Sequence, residues 1–259
     1  MEAERVQRLA SAVATIQARW GERALVSARE APRESGLPSG IAALDAILQA
    51  PAPEGGRRRG GAAPAGGFPR GHLCELIGSG TAGHLLVAAH VLARAQRQRL
   101  HTVYIDVGDQ VDVDALARCG VYLDALAILR ATDLPQGLGM TSDLLRAGFG
   151  GVVVFDRVHD VATLGNAEHL AFLQQALRDW APLLGRSSTT LLVLTEAALP
   201  GQYAEGLPLP FAADLRLLFE RQRWLLRRRQ VVGYVTRVRV IKSRSGAMGN
   251  QTDLELAIL

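Results

Sequence analysis

The 259-residue sequence has few cysteines and no long apolar segment, and each scarcity excludes a class of protein. Cys74 and Cys119 are the only two cysteines, too few for a disulfide framework and without a metal-binding spacing. No run approaches the ~18 consecutive apolar residues that a membrane-spanning helix needs. Residues 1–5 lack the basic-then-apolar order of a secretion signal. We therefore expect a cytoplasmic protein that does not contact a membrane.

Lysine is nearly absent, and positive charge is carried by arginine. Lys242 is the only lysine among 29 basic residues, which exceed the 25 acidic residues and give a formal net charge of +4. This mild basicity permits an acidic partner but does not require one. The hydrophobic content of 48% supplies a sizeable core, and the length fits one domain with a terminal arm. We expect an N-terminal arm over residues 1–34 and a core over residues 35–259.

The N-terminal arm carries an apolar pattern with helical spacing. Its members recur every three or four residues, which predicts an amphipathic helix. The stripe could pack within the chain or dock on another subunit, and residues 24–27 follow as a candidate pairing strand. The stripe consists of Val6, Leu9, Val13, Ile16 and Trp20.

Residues 51–67 differ in composition from the rest of the chain. They are almost entirely proline, glycine, alanine and arginine, with three consecutive arginines at 57–59. Such a segment cannot bury enough apolar surface to offset the entropy of ordering, so we predict a disordered insert. Its arginines could contact nucleic acid or belong to a solvated linker.

After this insert, apolar runs alternate with amphipathic segments, which predicts an α/β fold with a mostly parallel central sheet flanked by helices. A short helix over 41–48 precedes the insert. Predicted strands are 73–77, 102–107, 126–130, 152–156 and 190–195. Predicted helices are 85–98, 112–119, 141–147 and 167–184. The final segments 214–226, 231–242 and 254–258 read as consecutive strands that close the sheet in antiparallel fashion.

A degenerate phosphate-binding loop follows the first predicted strand of the core. The frame is G-x-x-x-x-G-K-[ST], whose amides cradle phosphates, whose lysine neutralises charge and whose hydroxyl holds Mg²⁺. His84 stands at the lysine position and Leu85 at the Ser/Thr position; leucine cannot ligate a cation that needs oxygen. We therefore expect a binding protein without catalytic residues, without a metal site and without ATP or Mg²⁺ as cofactor, although the amides could still bind a bare phosphate. The loop comprises Gly78, Ser79, Gly80, Thr81, Ala82, Gly83, His84 and Leu85.

Six segments in the right order make the chain resemble the RecA recombinase core over nearly its whole length. They include a lead into the phosphate loop (67–78), a strand ending in Tyr-Ile-Asp (104–106) and a Walker B-like strand ending at Asp156. The other three are the N-terminal helix (9–21), the Ser-Gly to Leu-Asp segment (39–45) and a late strand (235–244).

Departures from the RecA pattern bear on function. The resemblance implies a water-positioning glutamate where this chain has Gly108, and the neighbouring Asp109 is expected to point elsewhere. Asp156 is either a Walker B acid without its metal or a carboxylate that caps the strand end. Lys242 and Arg244 match the basic pair that RecA sends across its subunit interface; they could equally lie on a solvated edge strand.

The regions that resemble the two DNA-binding loops of RecA are poor in positive charge. The first is reduced to about residues 158–167, and the second, 197–211, has no basic residue. A dense arginine cluster occurs instead at a predicted hairpin between late strands. It is a candidate for contacts with DNA phosphates or an acidic protein, or else a solvated face. The cluster comprises Arg221, Arg223, Arg227, Arg228 and Arg229.

Among RecA-like families, the length and the altered phosphate loop most resemble ImuA. That resemblance implies a catalytically inactive, nucleoid-associated accessory protein in damage-induced translesion synthesis (SOS mutagenesis). Its implied partners are RecA, an ImuB-like Y-family polymerase homologue and an error-prone replicative-type polymerase, with weak single-stranded DNA binding. Two alternatives remain open: a SulA-like inhibitor of cell division, and an active RecA-type DNA-dependent ATPase.

Overall fold

A computed structural model describes residues 2–21, 36–49, 66–159, 167–197, 199, 206–244 and 246–257. The chain divides into two compact units, residues 1–34 and residues 35–259. In the described part, no helix combines the length and apolar character that crossing a membrane requires.

Among the described residues of the first unit, helix α1 runs from Glu2 to Trp20. An ion pair between Arg8 and Glu4, at 2.8 Å, links successive turns on its polar side. The apolar side chains of Leu9 and Trp20 are 67% and 68% exposed. The structure confirms the predicted helix, whereas the predicted pairing strand at 24–27 lies outside the described residues.

The second unit is an α/β domain built on one eight-stranded sheet. Its strands are β1 (His72–Gly78), β2 (His101–Val107), β3 (Leu126–Ala131), β4 (Gly151–His159), β5 (Thr190–Glu196), β6 (Leu215–Arg227), β7 (Gln230–Ser243) and β8 (Gln251–Ala257). Its helices are α2 (Ala42–Ile47), α3 (His84–Arg97), α4 (Val113–Arg118), α5 (Leu134–Arg146), α6 (Ala167–Leu184) and α7 (Leu209–Ala212), with a 3₁₀ turn at Leu123–Ala125.

The strands lie in the order β3-β2-β4-β5-β1-β6-β7-β8. All pairings from β3 to β6 are parallel, and only β6–β7 and β7–β8 are antiparallel. The late strands are thus antiparallel to one another as predicted, but β6 itself joins β1 in parallel. Because β1, β2, β4 and β5 run the same way, their carboxyl ends meet at one edge, where such sheets bind ligands.

Apolar side chains fill both faces of this sheet. One cluster packs α2 and α3 on one face, with Leu92 and Tyr104 fully buried. On the other face α5 and α6 pack against Phe155, and the indole of Trp180 donates a hydrogen bond of 2.9 Å to Ser142 Oγ. The buried indole with its N–H satisfied therefore links α6 to α5 beneath the central strands.

Helix α5 is longer than the sequence predicts, beginning at Leu134 instead of near Thr141. Asp133 caps its start by accepting a hydrogen bond of 2.8 Å from the Gln136 N–H, and a proline occupies the first turn, where it removes no helical hydrogen bond. Gly137 is needed for packing, since a Cβ there would lie 2.9 Å from Val107. Gly137 therefore allows α5 to approach the sheet closely.

The prediction that residues 66 and 67 belong to a disordered insert is wrong. Residues 51–65 lie outside the described residues, but Gly66 and Gly67 are packed against the core. A Cβ on Gly67 would lie 2.4 Å from the Leu37 carbonyl oxygen, and Phe68 exchanges two backbone hydrogen bonds with Leu37. The core therefore resumes at Gly66, because only glycine permits this approach of the two segments.

Candidate functional site

The degenerate phosphate loop keeps the backbone frame of its motif. It connects the end of β1 to α3, and Gly83 precedes the helix in a left-handed conformation with φ of 98°. A Cβ on Gly83 would lie 2.5 Å from Leu256, and Thr236 donates a hydrogen bond of 2.7 Å to the Ala82 carbonyl. Strands β7 and β8 thus hold the loop from one side, and glycine is required there for two independent reasons.

His84 replaces the lysine with a buried, uncharged ring. It is 5% exposed and lies directly against Gly78, where an added Cβ would be 2.1 Å from the ring nitrogen Nδ1. Within the described structure this Nδ1 has no hydrogen-bond partner. Burial, with a smaller contribution from Arg157, lowers the pKa of His84 to about 4. The ring is therefore neutral at pH 7 and cannot supply the positive charge that a phosphate needs.

A carboxylate occupies the mouth of the loop. Glu196 ends β5, and its Oε1 accepts a hydrogen bond of 2.6 Å from the Gly80 N–H. Its other oxygen, Oε2, lies 3.8 Å from the Nε2 atom of His84. Glu196 was not predicted from the sequence. Its position at the end of a predicted strand was visible, but the strand order that pairs it with Gly78 was not.

Arg157 links this carboxylate to the Walker B-like aspartate. Its Nη1 lies 3.2 Å from Glu196 Oε2, and its Nε lies 3.1 Å from Asp156 Oδ1. The pairing of β4 with β5 shifts register between Asp156 and Val158, which leaves Arg157 without a partner in the ladder. Arg157 was not predicted from the sequence either, because the β-bulge leaves no distinct pattern in these residues.

Tyr104 completes the network from β2. Its hydroxyl donates a hydrogen bond to Asp156 Oδ2, and burial, followed by the charge of Asp156, raises its pKa well above the ordinary range. The phenol therefore stays protonated and acts as a donor. Asp156 lies within β4, not at its end, so the structure does not support the interpretation of a strand-end cap.

The charged groups around the loop decide which ligands it can hold. The carboxylates of Asp156 and Glu196 face one guanidinium, that of Arg157, and His84 adds no charge. No group of three or more metal-ligating side chains occurs among the residues that the structure describes. A phosphate entering the loop would meet the Glu196 carboxylate at the Gly80 amide, and like charges about 4 Å apart repel by ~4 kcal/mol at an effective dielectric of about 20.

The position expected to hold a water-orienting carboxylate is a glycine, which has no side chain. Gly108 follows β2 with φ of 93°, and Asp109 pairs with Arg130 on the exposed end of β3, at 3.2 Å. Asp106, also at this end of β2, accepts a hydrogen bond of 2.8 Å from the Gln110 N–H. Asp109 is thus paired with Arg130, and Asp106 is engaged by the backbone of the segment that follows β2.

A cavity of about 420 Å³ adjoins the loop on the side of the late strands. Leu85 lines it where the motif would place a hydroxyl, together with Cys119 of the α4 end. Trp224 and Tyr234 form an aromatic wall, with their rings 5.8 Å apart and nearly perpendicular. Burial raises the pKa of Tyr234 to about 12, so this wall is uncharged.

The structure brings the five predicted arginines together on the β6–β7 hairpin. Arg228 and Arg229 form its two-residue turn, both with positive φ (48° and 67°), the geometry of a type I′ turn. The guanidinium of Arg221 lies 4.2 Å from the Trp224 ring centre. The predicted hairpin is confirmed, and its cluster is exposed to solvent.

Lys242 and Arg244 lie at and just beyond the end of β7 and are engaged within the chain. The Lys242 ammonium donates to the carbonyl of Pro210 at 2.9 Å and to that of Phe211 at 3.3 Å. The Arg244 guanidinium lies 3.1 Å from Asp214, yet its side chain remains 69% exposed. Arg244 is therefore the more accessible of the two for contact with another subunit.

The fold and the loop frame agree with comparisons to known proteins. The RecA N-terminal domain family matches residues 7–258, nearly the whole chain. This chain belongs to that family. It is 28% identical to the RecA protein of Nocardioides sp. (strain ATCC BAA-499 / JS614), over 98% of this chain and 74% of the relative. It is 27% identical to the RecA protein of Leifsonia xyli subsp. xyli, over 98% and 72%.

Membership of the RecA family confirms the predicted fold class, while the site departs from the motif on which nucleotide chemistry depends. His84 stands in place of the lysine cation, and Leu85 stands in place of the metal-binding hydroxyl. The Glu196 carboxylate accepts a hydrogen bond from a loop amide. The family therefore fixes the architecture, and the function has to be argued from these substitutions.

Proposed function

We propose that this chain is a catalytically inactive RecA-family protein that acts by binding other proteins in damage-induced translesion synthesis. The observation that carries the proposal is the chemistry of the loop. Phosphoryl transfer depends on positioning and on cations around the phosphates. Here the lysine is replaced by the buried, neutral His84, the metal ligand by Leu85, and the water-orienting carboxylate by Gly108.

The resemblance to ImuA supports the cellular role and the partners. We propose contacts with RecA, with an ImuB-like Y-family polymerase homologue and, through that assembly, with an error-prone replicative-type polymerase. The protein would act in the cytoplasm near the nucleoid. A degenerate nucleotide site suits this role, because such a subunit needs the shape of the RecA core but not its turnover.

The contact with RecA is proposed to cap a filament and prevent its growth. RecA-like subunits associate through an N-terminal helix that docks on the next core, and α1 presents an exposed apolar stripe with Leu9 and Trp20. The chain also keeps Lys242 and the exposed Arg244 at the end of β7. A subunit that adds to an end but lacks its own nucleotide offers no competent face to the next subunit.

A binding experiment with purified RecA tests this proposal. Leu9→Ser combined with Trp20→Ser removes two apolar side chains from the stripe, and we expect loss of RecA binding and of filament shortening. The matched control, Glu4→Gln combined with Arg8→Gln, alters the polar side of the same helix and should leave both intact. Full RecA affinity in the Leu9/Trp20 variant, or filaments of unchanged length with excess unmodified protein, contradicts the capping mechanism.

A further inference from the structure

A carboxylate of the protein itself, that of Glu196, is hydrogen-bonded to an amide of the phosphate loop. We propose that Glu196 is a built-in occupant of the loop, and that a phosphate-type oxyanion binds there only when this carboxylate is displaced or removed. The inference rests on the proposed function, since it explains how the inactive loop is kept closed. It gives a role to Glu196 and Arg157, neither of which was predicted from the sequence as a site residue.

The geometry of Glu196 matches that of a bound oxyanion. Its Oε1 accepts the Gly80 N–H at 2.6 Å, the kind of short, charge-assisted bond that loop amides make to phosphate oxygens. The strand register makes this contact possible, because the last residue of β5 pairs with Gly78, the last residue of β1. The carboxylate therefore reaches the loop from a neighbouring strand.

Arg157 keeps the carboxylate in place. Its guanidinium bridges Glu196 Oε2, at 3.2 Å, and Asp156 Oδ1, at 3.1 Å. Asp156 is itself held by the Tyr104 hydroxyl, so the chain of contacts runs from the core of the sheet to the loop. The Glu196 side chain is 21% exposed and the Arg157 side chain 26%, so the pair is partly shielded from solvent.

The same geometry predicts what the loop would bind once Glu196 is removed. The Gly80 N–H and Arg157 Nη1 would then both lose Glu196 as their acceptor and would face the vacated position, while Arg157 Nε would keep its contact with Asp156. An amide N–H and a guanidinium N–H are the donors that oxygens of phosphate and diphosphate accept from in loops of this kind. Leu85 provides no metal ligand, so binding should not depend on Mg²⁺.

Calorimetric titration of the full chain with inorganic diphosphate, at constant ionic strength and without Mg²⁺, tests the proposal. Glu196→Ala removes the occupant, and Glu196→Gln removes its charge with little change in shape. We expect affinity at least ~10-fold higher in the alanine variant than in the unmodified protein, because one repelling charge is lost beside the oxyanion. The glutamine variant should gain in the same direction and serves if the alanine variant does not fold.

Two further variants make the result specific. Adding Arg157→Gln to Glu196→Ala should abolish most of the gain, because the guanidinium is the proposed cationic contact. Glu255→Gln removes an exposed carboxylate from β8 and should leave diphosphate affinity unchanged. Equal affinity in the unmodified protein and in both Glu196 variants overturns the proposal. Turnover of ATP by the unmodified protein would instead contradict the proposed function, so the two failures are distinguishable.

Discussion

Acidification should destabilise this protein through His84, because its ring is buried and uncharged in the folded state. Burial lowers the pKa from 6.5 to about 4, so the unfolded chain binds the proton more readily than the folded one. The stabilising contribution is therefore complete above pH 6.5 and is lost as the pH falls from 6.5 through about 4. Linkage gives a loss of about 2 kcal/mol at about pH 5 and about 3 kcal/mol below pH 4.

Urea unfolding at about pH 7.5 and about pH 5 measures this loss when the protein is compared with His84→Gln. The loss of unfolding free energy between the two pH values is subtracted between the two proteins, which cancels the contributions of the other titrating groups. A difference of about 2 kcal/mol should remain. His90→Gln is the comparison variant. The pKa of His90 is also lowered by burial, with Arg97 contributing, but this ring is only partly buried, so its effect should be smaller.

The opposite result has a clear meaning. If the unmodified protein and His84→Gln lose the same free energy of unfolding between the two pH values, the folded protein accepts a proton on His84. The loop would then carry a positive charge at the position of the missing lysine, and the reasoning that makes it unable to attract phosphate would be refuted.

Two further predictions concern a buried ion pair and the hairpin. Arg216→Met should cost about 3–5 kcal/mol near neutral pH, because it leaves the fully buried Glu75 carboxylate without its cation. Burial already raises the pKa of Glu75, against the opposing charge of Arg216, so the variant should lose stability as pH rises above the ordinary carboxyl range of about 4.5. Chemical denaturation across pH should show this slope, and a pH-independent loss would argue against an unpaired carboxylate. For the hairpin, replacing its five arginines with glutamine should abolish weak single-stranded DNA binding that falls steeply with salt. Fluorescence titration measures that affinity, and no change would remove the cluster from the DNA-binding hypothesis.

The order of the core elements could be predicted because each has a local cause. The strands are apolar runs ended by glycine or polar residues, and α3 and α6 have helical apolar spacing. The loop was recognisable because its glycines serve backbone conformation, as the left-handed Gly83 shows. The hairpin followed from two apolar-polar runs around a short polar turn.

The contents of the loop could not be predicted in the same way. Glu196 and Arg157 are separated by 39 positions in sequence and meet only because β4 and β5 are adjacent and β4 contains a bulge. Helix α5 was predicted too short: Gly137 has a low intrinsic helix propensity, but it lies inside the helix, where a Cβ would come within 2.9 Å of Val107. In both cases the deciding contact joins distant segments, and composition gives no indication of it.

ATP hydrolysis by the purified full chain, with Mg²⁺ and with or without single-stranded DNA, tests the central claim most directly. We expect no turnover above the blank, and none after His84→Lys combined with Leu85→Thr, because Gly108 still supplies no water-orienting carboxylate and Glu196 still occupies the loop. Mg²⁺-dependent hydrolysis by the unmodified protein, stimulated by DNA, would contradict the claim that this RecA-family chain is catalytically inactive.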